Sequence, residues 1–307
     1  MKIGFFCIKG LETFIAPISK CLKQESDYEI EEHWLTNLDD IQSKIAACDV
    51  IWLEWANEMA ETLTNKLTNV LQSKIVIVRL HSYEALIQKH RTINWEVVNA
   101  IVFVAEHVKK YCDLEHPHEI IIPNGIDLDQ FEFSQKTHGN DIGFIGLLSH
   151  KKGIMLLVHA FNSLPKNFKL HIAGEWQDDR ERIYFSHIIK EIGLSDRIDY
   201  VGQLPHDQVG SWMASKNYIL CTSPWEGHPV AIAEAMASGI KPLIHNFWGA
   251  KKIYPPNLIW STFSELNQMV SIDSPYNSYS YCQYINSHYS RKNQIKKIKD
   301  LIQYLNA

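Results

Sequence analysis

The chain has 307 residues, 46% of them hydrophobic and 21% charged, with a formal net charge of −5. That length suits two domains of about 140 residues each, and the composition is that of a globular protein in water. The acidic balance argues against a nucleic-acid partner bound by neutralising phosphates, and six scattered cysteines without a CxxC pair imply neither a disulfide framework nor a zinc site.

The first eight residues are too short for a signal peptide and read as a strand. Strand signals then run through Ile3–Ile8, Glu29–Trp34, Val50–Glu54, Lys74–Leu80, Ala100–Val104 and Glu119–Ile122, mostly as the continuous apolar runs of a parallel sheet. Helical patterns lie between them, among them Asn57–Leu71 and His107–Asp113. The segment Ile122–Phe131 and the polar stretch Ser134–Asn140 interrupt this alternation, which sets an expected boundary between domains 1–135 and 136–290. A second series follows at Asp141–Ile145, Phe168–Ala173, Arg197–Val201, Tyr218–Thr222, Lys241–His245 and Asn257–Trp260. Two successive doubly wound α/β domains predict a central cleft. The tail 291–307 places Ile295, Ile298, Ile302 and Leu305 on one helical face, so it is expected to pack back onto the first domain. Its basic polar face leaves peripheral membrane contact as the alternative. No apolar stretch approaches the ~20 residues of a membrane span, and the cysteine usage suits a reducing compartment. The expected location is cytoplasmic, at most peripheral on the inner membrane face.

The most informative segment is Tyr218-Ile-Leu-Cys-Thr-Ser-Pro-Trp-Glu-Gly-His-Pro-Val-Ala-Ile-Ala-Glu-Ala-Met-Ala-Ser-Gly239. Its start reads as a buried strand, Ser223–His228 as a turn, Pro229 as the first helical position and Ala231–Ala237 as helix. Gly239 supplies the left-handed ending. Ligands of parallel sheets bind at the carboxyl ends of strands, where this turn sits. A helix start there offers free N–H groups and a positive dipole end to a phosphate. Glu226 and Glu234 frame it, and an ionised Glu accepts two hydroxyl donors, as from a sugar or ribose. A nucleotide sugar has both chemistries.

These residues resemble the signature of the family-4 retaining glycosyltransferases (glycosyl transferases group 1), whose GT-B fold has two Rossmann-type domains facing a central cleft. Ile122-Pro-Asn-Gly-Ile-Asp127 resembles the family's domain junction, and Ile192–Pro205 its helix, strand and base-contacting loop, which includes the donor-binding candidate Leu204. The resemblance implies that Glu234 holds the ribose, Glu226 the transferred sugar, and Gly227, His228, Pro229 and Val230 the diphosphate. In Gly146-Leu-Leu-Ser-His-Lys-Lys-Gly153, Lys152 matches the family's phosphate lysine and Lys151 is its nearest competitor. Leu147 stands where the family usually has an arginine. His81 matches a histidine that reaches the donor sugar, and Lys9 and Gly10 lie where a glycine-rich loop approaches the diphosphate. Asp127-Leu-Asp129 has the spacing of a GT-A metal motif but falls in the junction, where a turn is the simpler reading. No HxxxH or HExxH spacing occurs among the fifteen histidines.

The expectation is therefore a metal-independent, retaining hexosyltransferase with no cofactor. It would transfer sugar from a nucleotide donor to a glycan, lipid-linked or small-molecule acceptor. Glu226, His81 and Lys152 are its candidate catalytic residues. A nucleotide-sugar epimerase or hydrolase, or a silent nucleotide-sugar binding subunit, are the alternatives, the second encouraged by Leu147.

Overall fold

The computed structural model spans residues 1–307 and describes all of them except the side chain of His206. The chain forms two compact units, Met1–Gly125 with Arg291–Ala307, and Ile126–Ser290.

Unit 1 holds β1 (Lys2–Ile8), β2 (Glu29–Leu35), β3 (Val50–Glu54), β4 (Ile75–Leu80), β5 (Ala100–Phe103) and β6 (Glu119–Ile121). They form one parallel sheet in the order β2-β1-β3-β4-β5-β6. β3 is buried along its whole length and β1 at all but its ends, which is why both read as unbroken apolar runs rather than alternating ones. The core gathers Phe5, Trp52, Ile77 and Val102 from the strands with Ile295, Ile298, Leu301 and Ile302 from the C-terminal helix Arg291–Leu305. The expected Asn57–Leu71 helix is two, Glu58–Lys66 and Thr68–Leu71, because Leu67 leaves helical geometry at φ −113°, ψ 27°.

Unit 2 holds β7 (Asp141–Ile145), β8 (Lys169–Ala173), β9 (Ile198–Gly202), β10 (Tyr218–Cys221), β11 (Lys241–His245) and β12 (Ile259–Trp260). Its sheet is also parallel, in the order β12-β11-β10-β7-β8-β9. Strand order reverses between β7 and β10, whose residues Ile142 and Tyr218 pair directly. In unit 1 the reversal lies at β1 and β3. Such reversals open a crevice at the carboxyl ends of the two strands, where connections leave for opposite faces.

The units divide at Gly125/Ile126, upstream of the expected 135/136. The polar composition of 134–140 conceals its attachment to unit 2. Phe131 is buried, the Ser134 N–H donates to Ser238 O at 3.3 Å, and the Lys136 N–H donates to Ser278 Oγ at 2.9 Å. Asp127 caps the short turn Leu128–Gln130, its carboxylate accepting from the Asp129 N–H and from Gln130 Nε2.

Candidate functional site

Two loops meet at the reversal point of unit 2. The first leaves β7 as Gly146–Gly153 and ends in a single tight turn, His150–Lys152. Gly153 follows at φ +67°, and a Cβ there would fall 2.1 Å from Thr222 O, beside the end of β10. Only glycine permits both that conformation and that approach. Thr222 Oγ1 completes the tie by donating to Lys152 O at 3.0 Å. The glycine loop is thereby fastened to the second loop, which leaves β10 as Thr222–Pro229.

The tie sets Lys152 against Glu226, their Nζ and Oε1 atoms 2.6 Å apart. Ser223 Oγ donates to the same oxygen at 2.7 Å, a contact the sequence reading missed. The Glu226 side chain is 8% exposed and that of Lys152 29%, so the pair is shielded on the carboxylate side and reachable on the ammonium side. Burial pulls the Lys152 pKa down, but the charge and hydrogen bond of Glu226 outweigh it and hold the ammonium above its ordinary range. Cys221 beneath is pushed up to about 11, by burial first and then by Glu226, so it stays a neutral thiol.

The helix Val230–Ala237 starts beside this pair. Pro229 is its N-cap rather than its first residue, and it contributes no side-chain cap. The first N–H groups of the helix are thus left for another acceptor. Lys152, Ser223, Glu226, Val230 and Ala231 line a pocket of about 40 Å³ at this point. That volume holds roughly one water or one ligand oxygen, so a larger ligand would reach in with one group. Ser238 ends the helix and Gly239, at φ +84°, follows it.

The other expected residues fall into place unevenly. Glu234 is half-buried on the helix, Gly227 is buried, and Lys151 is half-buried on the glycine-loop turn. His228 is buried, its ring 4.5 Å from that of Tyr289. Leu147 is 47% exposed. Leu204 is half-buried in the loop after β9. Trp225, next to Glu226 in the chain, stacks on Trp248 with centroids 5.1 Å apart.

His81 and Gly10 belong to unit 1. Gly10 turns the loop after β1 at φ +94°. His81 is the N-cap of the helix Ser82–Leu86, just past β4. It is only 5% exposed, with Nε2 at 2.9 Å from Glu54 Oε1 and its ring stacked on Trp55 at 4.0 Å. Sequence reasoning found the histidine but not Glu54, because the two are far apart in the chain and only the β3–β4 pairing joins them.

Among the described residues one cluster has metal-ligand chemistry, Glu31, His33 and Cys48 of unit 1, with ligand atoms within 4.8 Å of one another. Glu31 and Cys48 already engage each other, while His33 Nε2 makes no hydrogen bond. Cys48 Sγ donates to Glu31 Oε2 at 3.6 Å, His33 Nε2 lies 3.2 Å from that oxygen, and the Lys2 ammonium holds Glu31 Oε1 at 2.7 Å. Burial, then Glu31, raises the Cys48 thiol to about 11, which disfavours the thiolate a metal would need. All six cysteines are free, and no helix among the described residues is long and apolar enough to cross a membrane.

Solved structures share this architecture over the full length of the chain. Sucrose-phosphate synthase from Thermosynechococcus elongatus superposes with a TM-score of 0.82, at 12% identity, over 99% of both chains. The Anabaena protein HepE, solved with UDP and glucose, gives 0.82 at 14% identity over 99% of this chain and 100% of its own. Both place the fold as GT-B. Among curated proteins, the 2-deoxystreptamine glucosyltransferase of Streptomyces kanamyceticus is 27% identical over 135 residues, 39% of this chain and 34% of its own length. The GDP-mannose:cellobiosyl-diphosphopolyprenol alpha-mannosyltransferase of Xanthomonas oryzae pv. oryzae is 27% identical over 128 residues, 40% of this chain and 33% of its own. The chain thus matches about a third of the length of these relatives. Residues 126–258, which carry both loops of the site, match the family model of the glycosyl transferases group 1. That match covers less than half of the chain, and the GT-B fold extends over the rest.

Proposed function

We propose that this protein is a glycosyltransferase that binds a nucleoside-diphosphate sugar on unit 2 and passes the sugar to a glycan, lipid-linked or small-molecule hydroxyl. The observation that carries the reading is the Lys152–Glu226 pair beside an uncapped helix start at the reversal point of the unit 2 sheet. A diphosphate would draw Lys152 from Glu226 and accept from the first N–H groups of the helix. Glu226, relieved of its cation, would then accept from sugar hydroxyls, and Glu234 from the ribose. As the bond from the anomeric carbon to the diphosphate breaks, the departing oxygen gains charge. Lys152 and the helix end stand where that charge develops, and preorganised donors of this kind often supply the largest share of catalysis. The acceptor oxygen bonds to the anomeric carbon, and its proton passes to the departing diphosphate oxygen.

The finer features belong to the same proposal. The family resemblance supports retention of anomeric configuration and transfer of a hexose, and the cation and helix dipole supply a metal-independent clamp. Six free thiols fit a cytoplasmic setting. The test is a thermal-shift screen of nucleotide sugars in EDTA, among them UDP-glucose and GDP-mannose. A ligand at 100 times its dissociation constant stabilises by ~2.7 kcal/mol. A donor that binds, turns over without metal and yields product of unchanged anomeric configuration supports the whole reading. Stabilisation that needs manganese or magnesium overturns the clamp, and no response to any nucleotide sugar overturns the donor site.

A further inference from the structure

Unit 1 holds a side-chain cluster that the donor chemistry does not use. Glu31 and His33 stand two residues apart on β2, so they face the same side of the sheet. Cys48 reaches them from the segment between the helix Ile41–Ala46 and β3. We propose that these three residues form a zinc site, with Glu31 Oε2, His33 Nε2 and Cys48 Sγ as ligands and a water as the fourth. Zinc there would tie the edge strand β2 to the entry of β3, across β1. Its ligands all belong to unit 1, and the diphosphate clamp of unit 2 uses none of them.

The spacing is that of ligands around one ion. Zinc bonds sulfur at about 2.3 Å and nitrogen or oxygen at about 2.0–2.2 Å, so the edges of a tetrahedral site measure roughly 3.3–3.7 Å. Glu31 Oε2 lies 3.2 Å from His33 Nε2 and 3.6 Å from Cys48 Sγ. The third edge, from sulfur to nitrogen, is no longer than 4.8 Å. Lys2 takes the other carboxylate oxygen, Oε1, at 2.7 Å, which leaves Oε2 for the remaining two ligands. Outer partners of this kind orient a ligating carboxylate. Thiol, imidazole and carboxylate together suit zinc, whereas magnesium and calcium take oxygen alone.

Two features go beyond a surface ion pair. Gly4 of β1 pairs with Glu31 on one side and Ile51 on the other. A Cβ at Gly4 would fall 2.8 Å from Cys48 Sγ and 2.7 Å from the Phe6 ring. Glycine inside a strand marks a close approach, and here it makes room for the sulfur beside the carboxylate. The second feature is His33 Nε2, which is buried and makes no hydrogen bond although Glu31 Oε2 is so near. Stacking on Phe6, 4.5 Å between centroids, holds the ring in that pose. Burial lowers the His33 pKa more than Glu31 raises it, so the ring is neutral and has a lone pair for a cation. The thiol of Cys48 keeps its proton in the free protein. A zinc ion takes the place of that proton on sulfur, and the proton leaves to water. Lys44 and Lys74, the other cations near the cluster, give their ammonium groups to Asp39 O and Ala46 O.

The probe is cobalt(II), which occupies zinc sites and absorbs light, added to the full chain after reduction, EDTA treatment and desalting. Wild type should bind it with a sulfur-to-cobalt charge-transfer band, and added zinc should displace the cobalt and abolish the band. Cys48→Ser should lose the band although the other cysteines remain free. Glu31→Gln, at a side chain 33% exposed, and His33→Gln should each weaken cobalt by about tenfold or more, since even an outer partner is worth about 10–100-fold. Zinc should also raise hydrogen-exchange protection in β2 and β3 and leave β7 and β10 unchanged. A wild-type protein without the band overturns the proposal and needs no variant that might fail to fold. A band that survives in Cys48→Ser assigns the metal to another thiol and overturns it too, as does unchanged cobalt affinity in folded Glu31→Gln and His33→Gln. Stabilisation by a nucleotide sugar should be the same with and without zinc, in wild type and in Cys48→Ser. A sugar response that requires zinc overturns the separation of the two sites, whereas loss of the cobalt band alone leaves the donor reading standing.

Discussion

The two units share a plan and use it differently. Each is a six-stranded parallel sheet with a reversal of strand order, and each gathers ionisable groups at the carboxyl ends of the strands near that reversal. In unit 2 the cation, Lys152, is 29% exposed and bonded to a carboxylate it can exchange for a ligand. In unit 1 the cation, Arg79, is 1% exposed and closed in by Glu54, which is itself at 0%. A guanidinium that cannot reach solvent cannot bind a phosphate without unfolding its surroundings. Unit 2 therefore keeps its cation within reach of solvent, and unit 1 uses its cation to build the fold.

The largest effect should come from breaking the unit 1 network. Glu54→Leu leaves the Arg79 charge buried without its counterion, which costs about 3–5 kcal/mol. Hydrogen exchange of the β3 and β4 amides reads this locally, as a two-unit chain requires. Protection lost in β3 and β4 but kept in β7 and β10 is the expected pattern. Lys152→Ala should leave protection in both sheets almost unchanged, and equal losses in the two variants would erase the distinction between the units.

Glu84 sharpens the same contrast through pH. Burial raises its pKa from 4.5 to about 7. Between those values the folded form binds more protons than the unfolded one, so stability is greatest below pH 4.5, declines as pH rises and levels off above 7. The shift corresponds to about 3 kcal/mol at one pKa unit per 1.36 kcal/mol. Urea titrations across pH 4.5–7 should show wild type losing stability relative to Glu84→Gln by that order. Parallel curves would mean that the carboxyl is as easily ionised in the fold as outside it.

Next in size is Lys152→Ala, which removes a charge-assisted contact worth ~1.5–3 kcal/mol. Affinity for a nucleoside diphosphate should drop roughly ten- to a hundredfold by calorimetry, and turnover with it. Lys151→Ala should do much less, since Lys152 is the lysine whose ammonium meets Glu226. An equal effect at both positions would point to diffuse attraction rather than a bound phosphate.

The contrast between the units also explains what could be read in advance. The strands were legible because parallel strands buried on both faces are unbroken apolar runs, as in β3 and β10. The unit 2 site was legible because Glu226, the helix start and Glu234 lie within one strand–turn–helix segment. Lys152 needed the resemblance, and its meeting with Glu226 needed Gly153 against Thr222. The unit 1 network is drawn from Glu54, Arg79, His81, Glu84 and Asn124. A buried carboxylate at the end of an apolar run carries no local mark, so nothing short of strand pairing brings these residues together. The stretch 134–140 misled by its polarity, since the bonds that hold it to unit 2 come from Ser238 and Ser278, far along the chain.

The smallest expected effect is the most discriminating. Leu147 is exposed and follows Gly146, where a Cβ would lie 3.6 Å from Lys152 Cε. An arginine at 147 would thus enter the neighbourhood of the Lys152 ammonium. Without ligand, two cations there repel, and Leu147→Arg should be neutral or slightly destabilising. With a nucleoside diphosphate bound, the second cation gains a partner, and the screened gain at such an exposed position is about 1 kcal/mol, or fivefold in affinity. The two signs must appear together, because the same proximity produces both. Raising salt should shrink the gain, whereas a gain from added apolar contact would persist. Unchanged diphosphate affinity in Leu147→Arg, beside a large loss in Lys152→Ala, would place the phosphate on the Glu226 side of the lysine and away from the start of the glycine loop. Unchanged affinity in both variants would remove the diphosphate from this crevice altogether.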